Sequence, residues 1–437
     1  MSRFLYTVLL YLLLPFVPLK LLWRGMRQPA YLQHWSERFG FYAIKTTQPI
    51  IWLHCVSVGE TRAAEPLVKE LGKRYPQCQI LLTHATPTGR AAGEQLFGDQ
   101  LLRAYLPYDL PGAVSRFLQH FKPQIGFLME TELWFNLIAA CKQRQIPLLL
   151  ANARLSQKSL RGYAKISSLA GPGLRDLTAI AAQTEQDAER LQSLGAQNVQ
   201  VLGNLKFDVE PPPDAMEQGQ KLREKIGKNR PVFLAASTRE GEEAIILDVI
   251  AAAKIPDLLT VIVPRHPQRF DEVAELIKKR GFSYARRSSL GSTPPGKRER
   301  EGADEEADKV IVMQEVVLGD SMGEMFTYYA ACDVAFIGGS LLPFGGQNLI
   351  EACAMGKPVL LGAHTYNFAI AAEQAVAKCA AWRVADAAEL ATALQRMFAS
   401  AEVRQSMGLA ALTFAGSACG ASQRIADLAG RYLTDLA

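Results

Sequence analysis

Short apolar runs, each followed by a stretch of helical periodicity, recur along almost the whole chain and constrain its fold more than any other feature. Residues 50–56 (IIWLHCV), 79–84 (QILLTH), 125–129 (IGFLM), 146–151 (IPLLLA), 178–182 (TAIAA) and 199–202 (VQVL) read as short buried strands. Between them lie helix-period stretches such as 61–74, 88–97, 132–144 and 185–194. Strands apolar on both faces that alternate with helices predict a parallel sheet covered on both sides, a doubly wound α/β fold. At 210–214 the pattern breaks at Glu-Pro-Pro-Pro-Asp, which can continue neither helix nor sheet. It resumes at 231–236 (PVFLAA), 258–263 (LLTVIV), 282–285, 310–313 (VIVM), 334–337 (VAFI) and 358–361 (PVLL). Two Rossmann-like domains joined by a Pro-rich hinge are expected, at 41–209 and 210–437, behind an N-terminal segment 1–40. In open sheets of this kind ligands sit beyond the strand carboxyl ends, so a site is expected there, in a cleft between the domains.

The N-terminal segment has its own chemistry. Phe4 to Leu19 (FLYTVLLYLLLPFVPL) carries no charge, and Leu21, Leu22 and Trp23 extend it past Lys20. A spanning helix needs about 20 apolar residues, so the length is marginal. Leu-Leu-Trp-Arg-Gly-Met-Arg follows, rather than the small residues of a cleavage site, which argues against a removed signal peptide. The expectation is a retained membrane anchor, against the alternative of an apolar helix docked on the domain. Lys20, Arg24 and Arg27 outnumber Arg3, which keeps the C-terminal side cytoplasmic and sets a basic collar against anionic lipid.

Charge supports that division. The whole chain has 48 Lys+Arg and 43 Asp+Glu, and residues 1–45 hold six bases and one acid, Glu37, so the rest is balanced. A nucleic-acid binder would spread its excess over the folded surface, so no nucleic-acid partner is expected. The seven Cys (55, 78, 141, 332, 353, 379, 419) include no C-x-x-C pair, and none has a His at ligand spacing. All seven read as reduced packing residues, with no zinc site or disulfide framework. Residues 286–309 hold six bases and six acids and read as a solvated insertion between two strands, against the alternative of a regulatory or partner loop.

Candidate chemistry lies at the strand ends. Glu60, in VSVGETR after the first strand, fits a general base facing a substrate hydroxyl and fits equally an acid favoured by a helix N-terminus. Glu130-Thr131-Glu132-Leu133-Trp134 places two acids after the strand at 125–129, where they would orient a substrate or favour a helix start. Lys206, in GNLKFD after the last strand before the hinge, would stabilise negative charge on a donor, against the alternative of an ordinary surface lysine. In the second half, Ser237-Thr238-Arg239-Glu240-Gly241-Glu242 has N-cap character, hence anion-binding amides. Arg265 in Pro264-Arg265-His266-Pro267 suits a bidentate phosphate contact. Gly338-Gly339-Ser340 ends another strand, and Gly345-Gly346-Gln347-Asn348-Leu349-Ile350-Glu351 then enters a helix. Its glycines would let backbone N–H groups approach a phosphate, and Glu351, one turn inside, would accept from ribose hydroxyls. None of these is a G-x-G-x-x-G or a P-loop, and their convergence on one domain's strand ends favours a sugar-nucleotide site.

Six motifs in this order resemble the bacterial 3-deoxy-D-manno-octulosonic acid (Kdo) transferases: VSVGE at 56–60, ETELW at 130–134, GNLKFD at 203–208, PRHP at 264–267, DSMGEM at 320–325 and GGQNLIEACAMGKPVLLG at 345–362. The resemblance spans essentially the whole chain. It implies a GT-B fold of two Rossmann-like domains facing a cleft, and an inverting glycosyltransferase that moves Kdo from CMP-Kdo to a tetra-acylated lipid A precursor (lipid IVA) in lipopolysaccharide core biosynthesis. It implies that Glu60 is the base, that Glu130 and Lys206 assist in the transition state, and that no cofactor or catalytic metal is needed. Pro264, Arg265, Ser321, Met322, Gly323, Gly345, Gly346, Gln347 and Asn348 would bind CMP, with Glu351 on its ribose. Gln347 departs from the family pattern, in which many members have His. The implied location is the bacterial inner membrane, with the catalytic domains on the cytoplasmic face and membrane lipids as partners. Competing readings are a GT-B transferase or epimerase using another sugar nucleotide, and a membrane-tethered nucleotide-binding scaffold.

Overall fold

The computed structural model describes residues 1–290 and 314–433 and divides them into two compact units, Met1–Asp208 with the chain from Ala418 on, and Val209–Ser417. Most of the charged stretch 286–309, and the strand expected at 310–313, lie outside the described residues.

The first unit is built on seven parallel strands: β1 (Ile50–His54), β2 (Gln79–His84), β3 (Leu102–Tyr105), β4 (Pro123–Met129), β5 (Leu148–Ala153), β6 (Ala179–Ala182) and β7 (Val199–Val201). Their order is β3-β2-β1-β4-β5-β6-β7, so the chain reverses direction across the sheet between β1 and β4. Alternation within a strand serves both faces. Ile51 and Leu53 join one buried cluster with Leu67, Leu71 and Phe127, while Ile50 and Trp52 join another with Phe117, Leu128 and Leu150. Gly126 makes room for Trp52, whose ring would lie 2.5 Å from an added Cβ. Helices start at side-chain caps: Ser57, Thr86, Ser156 and Thr184 each accept a bond from an N–H in the following first turn.

The second unit has β8 (Val232–Thr238), β9 (Leu259–Pro264), β10 (Tyr284–Arg286), β11 (Val316–Leu318), β12 (Val334–Ile337), β13 (Val359–Leu361) and β14 (Ala381–Arg383), all parallel, in the order β10-β11-β9-β8-β12-β13-β14. Here the reversal falls between β8 and β12. Both sheets thus have the doubly wound parallel architecture expected from the apolar runs. Three strands escaped the sequence reading. β3 (LRAY) and β14 (AWR) are sheet edges bearing an arginine, and β11 (VVL) is only three residues long.

The second unit ends at Ser417 rather than running through 210–437 as expected. From Ala418 the chain returns to the first, where Ile425, Ala426 and Leu428 pack with Leu67, Val68 and Leu71 of helix Val58–Arg74. Asp208 secures the return by accepting from the N–H groups of Gly420 (2.6 Å), Ala421 (3.0 Å) and Ser422 at the start of helix Ala421–Gly430.

The N-terminal residues form two helices, Arg3–Leu13 and Phe16–Arg27, bent by 55° at the break around Pro15. No single helix among the described residues is long and apolar enough to cross a membrane. The first helix is held to the unit by polar contacts: Tyr6 Oη donates to Asp109 (2.9 Å) and Thr7 Oγ1 to Asn136 (3.0 Å). Its other face stays bare, with Phe4 79% and Leu12 66% exposed, and the second helix adds exposed Phe16, Leu19, Trp23 and Met26. Four cysteines are buried (55, 141, 332, 353), but Cys379 is exposed and therefore not a packing residue.

Candidate active site

In the first unit the candidate residues gather at the β1/β4 reversal, where an open parallel sheet leaves a crevice beyond its strand ends. Helix Val58–Arg74 begins directly after β1, and Ser57 and Glu60 cap it reciprocally. Ser57 Oγ accepts from Glu60 N (3.3 Å), Glu60 Oε1 accepts from Ser57 Oγ (2.9 Å), and Glu60 Oε2 accepts from Val56 N (2.7 Å). The S-x-x-E spacing at 57–60 is the sequence signal of this box. So Glu60 has the helix-start role. The same side chain has its pKa raised to about 7, chiefly by burial, with Glu130 and Glu132 adding to the rise against the two hydrogen bonds. A carboxylate has about four lone-pair sites and the cap uses two, which leaves Glu60 able to accept a substrate proton near neutral pH.

Glu130 follows β4, the strand next to β1, and has φ 57°, a left-handed conformation that a Glu seldom adopts. Its amide is tied to Ala151 O at 3.0 Å. Backbone strain held by surrounding structure is a feature of sites where a side chain must be aimed. Glu132 is half-buried, its pKa raised by burial and by Glu130, and it accepts from Trp134 Nε1 at 2.9 Å. The Trp134 ring meets His54 edge-on at 5.6 Å.

Lys206 comes from farther away in the sheet, after β7. Its turn, Leu205–Phe207, packs against the Glu60 helix, and Asn152 at the end of β5 fixes it by accepting from Leu205 N (3.0 Å). Asn152 is fully buried and has φ 54°, and the sequence reading passed over it. The three expected residues of the first half thus share the carboxyl end of one sheet.

In the second unit the loops after β11, β9, β8 and β12 stand side by side. Arg265 follows Pro264 at the end of β9, and its N–H bonds Thr238 O at 3.0 Å. His266 has its pKa lowered by burial and by Arg239, Arg265 and Arg269, which identifies a cationic cluster around it. Arg269 is bonded to the buried Glu243 through two contacts, 2.7 and 3.0 Å, and Arg239 stacks on Phe344 at 4.7 Å. Ser321, Met322 and Gly323 form the turn after β11. Gly323 has φ 82°, Met322 is 60% exposed, and Ser321 Oγ bonds Tyr328 Oη at 2.6 Å. Asp320 steadies the turn by accepting from Ser288 N and Oγ at 2.8 and 2.7 Å.

In two candidate loops some backbone amides are engaged within the protein. Helix Glu242–Ala253 starts at Gly241, with Ser237 and Thr238 still in β8, and the amide of Arg239 is already taken. Glu242, fully buried, accepts from Arg239 N (2.8 Å), Gly339 N (2.6 Å) and Leu341 N (3.1 Å), so a protein carboxylate occupies the β8/β12 reversal. In the glycine-rich loop, Gly346 N bonds Gly339 O (2.7 Å) and Gln347 N bonds Gly338 O (3.0 Å). Gly345 and Gly346 are also needed for shape. Both have positive φ, 91° and 75°, and a Cβ on Gly345 would lie 2.4 Å from Tyr366. The following helix is short, Ile350–Ala354, so Glu351 lies in its first turn and accepts from Asn348 Nδ2 at 3.0 Å.

Comparison with known proteins gives this geometry its context. Residues 33–209 match the family described as 3-Deoxy-D-manno-octulosonic-acid transferase (kdotransferase). The chain is 42% identical over 444 residues to a 3-deoxy-D-manno-octulosonic acid transferase of Bordetella pertussis, covering 98% of each chain. It is 38% identical to the one of Haemophilus influenzae, covering 99% of each. A glycosyltransferase structure from Rickettsia africae ESF-5 resembles it with a TM-score of 0.56 and 15% identity, over 89% of this chain and 99% of that one, a likeness of GT-B-like fold alone. With such identity along nearly the whole of both curated relatives, the chain belongs to the 3-deoxy-D-manno-octulosonic acid transferase family.

Proposed function

We propose that the chain is an inverting glycosyltransferase that moves Kdo from CMP-Kdo to a tetra-acylated lipid A precursor, lipid IVA, in lipopolysaccharide core biosynthesis. The observation that carries this reading is the 42% identity spanning 98% of a curated Kdo transferase. CMP is a good leaving group, so the chain's own tasks are alignment, removal of one proton and compensation of charge. Glu60 takes the proton of an acceptor sugar hydroxyl as that oxygen attacks the anomeric carbon. The bond from that carbon to the CMP phosphate oxygen breaks, and CMP departs with the electron pair. A pKa of about 7 gives Glu60 enough basicity while leaving it about half ionised at neutral pH and largely ionised above it. Lys206 supplies a cation for the negative charge of the donor, and Glu130 orients the attacking group.

On the donor side the reading assigns CMP to Pro264, Arg265, the turn Ser321 to Gly323, and Gly345 to Asn348, with Glu351 on the ribose. The cationic setting of His266 supports a phosphate beside Arg265. Because the amides of Gly346 and Gln347 are engaged with Gly339 and Gly338, side chains carry more of the contact than amides do. The location assigned is the inner membrane, with catalytic units on the cytoplasmic face. The bare apolar face of Arg3–Leu13 and Phe16–Arg27, together with Lys20, Arg24 and Arg27, supports contact with anionic lipid.

Mass spectrometry of the products formed from CMP-Kdo and the lipid A precursor tests the reading. The expected result is an acceptor heavier by whole Kdo units together with free CMP. Unchanged acceptor in the presence of intact CMP-Kdo would overturn it.

A further inference from the structure

The bend between the two N-terminal helices leaves a cavity of about 320 Å³ against the first unit. Leu10 and Leu14 line it from the first helix and its end, Val17 from the second, Leu110 from the turn after β3, and Trp134 from the loop after β4. Three of the polar residues in its wall, Asp109, Tyr6 and Trp134, are already satisfied. Asp109 accepts from Tyr6 Oη (2.9 Å), Asn136 N (2.9 Å) and Leu137 N (2.8 Å), which uses Tyr6 as well. Trp134 donates its N–H to Glu132. Apart from Lys20 and Tyr108, the wall therefore makes no polar demand, and the surface it offers is hydrocarbon and aromatic.

Two further features say which apolar ligand. Lys20, exposed, is the cationic member of the lining, and Tyr108, another lining residue, has Arg38 and Arg24 close enough to oppose the rise that burial gives its pKa. An occupant with an apolar tail and an anionic head matches that pairing. Trp134 also joins the cavity to the candidate catalytic group, because its partner Glu132 lies close enough to Glu60 to raise that residue's pKa. The volume is at the small end of ligand cavities, roughly 300–1,000 Å³, and suits one chain rather than a whole multi-acylated lipid.

We infer that this cavity takes one acyl chain of the acceptor lipid, so that the N-terminal helices form part of the substrate site as well as a surface for lipid. The inference rests on the reading of the acceptor as an acylated, phosphorylated lipid. Dodecyl phosphate below its micelle concentration is the probe, with full-length protein and calorimetry. One molecule is expected to bind per chain, with affinity rising from hexyl to longer alkyl phosphates and then levelling once the cavity is filled. It should inhibit Kdo transfer competitively with the lipid acceptor and not with CMP-Kdo. Leu10→Trp, which fills the cavity, should weaken the probe at least tenfold and leave CMP affinity unchanged, and Val17→Trp on the other helix should do the same if Leu10→Trp fails to fold. Affinity that climbs without levelling, inhibition not competitive with acceptor, or unchanged binding in both variants would overturn the inference. Probe binding needs no turnover, so loss of Kdo transfer with probe binding intact would count against the proposed function and not against the cavity.

Discussion

At the scale of single residues, Glu60 concentrates both the chemistry and the structural role of its loop. Replacing it by Ala should abolish transfer while CMP binding, on the other unit, survives; calorimetry with CMP checks this. Loss of the bonds the Glu60 carboxylate accepts from Val56 N and Ser57 Oγ should also cost about 1–3 kcal/mol, read from urea unfolding. Because the base must be ionised and its pKa is about 7, kcat/KM should rise with pH through about 7 and then level on that limb. Glu130 raises the Glu60 pKa, so Glu130→Gln should move this limb of the residual activity to lower pH. A limb that stays in place would mean that another group sets it. The helix-start role of Glu60 was legible from the sequence, whereas the elevated pKa was not. It depends on burial and on carboxylates seventy residues away along the chain.

At the scale of elements, the strand ends decide which loops become neighbours. Apolar runs revealed most strands because central strands of a parallel sheet are buried on both faces. The edge strands β3 and β14 did not show, because an arginine there has access to solvent. Glu242 is the clearest case of an element-level role invisible in sequence, where an acid at a helix start looks ordinary. Its carboxylate ties the loop after β8 to the turn after β12 through three backbone N–H groups. Glu242→Ala should leave those donors unpaired at about 1–3 kcal/mol each and weaken CMP binding through the displaced loops. Thermal unfolding and CMP titration measure the two effects. Gly126→Ala in β4 should cost about 1–3 kcal/mol by pressing on Trp52, with little effect on CMP affinity.

At the scale of the whole molecule, the ends of the chain matter most. The C-terminal helix belongs to the core of the first unit, so Ile425→Ala should destabilise that unit by about 2–5 kcal/mol, measurable in urea, although it lies beyond the second unit in sequence. The excess of positive charge sits within residues 1–45, and the described helices there present an apolar face beside it. Arg24→Ala with Arg27→Ala should weaken co-sedimentation with anionic vesicles by roughly tenfold or more, at about 1 kcal/mol per lost cation, and added salt should have the same direction of effect. Neutral vesicles should show little difference between the variant and the parent chain.

The sequence by itself determined the doubly wound architecture, the break at the prolines and the strand-end positions of Glu60, Glu130, Lys206 and Arg265, because strand burial and proline geometry are local properties. Tertiary structure alone decided which of those positions meet and which groups are already spent. Asn152 fixing the Lys206 turn, Asp208 capping a helix more than two hundred residues later, Glu242 filling the reversal between β8 and β12, and Tyr6 bonded to Asp109 all join distant parts of the chain or adjacent loops across a sheet. Such pairings follow from the order of strands in the sheets and from the need to satisfy buried polar groups. Neither leaves a periodic trace in the sequence.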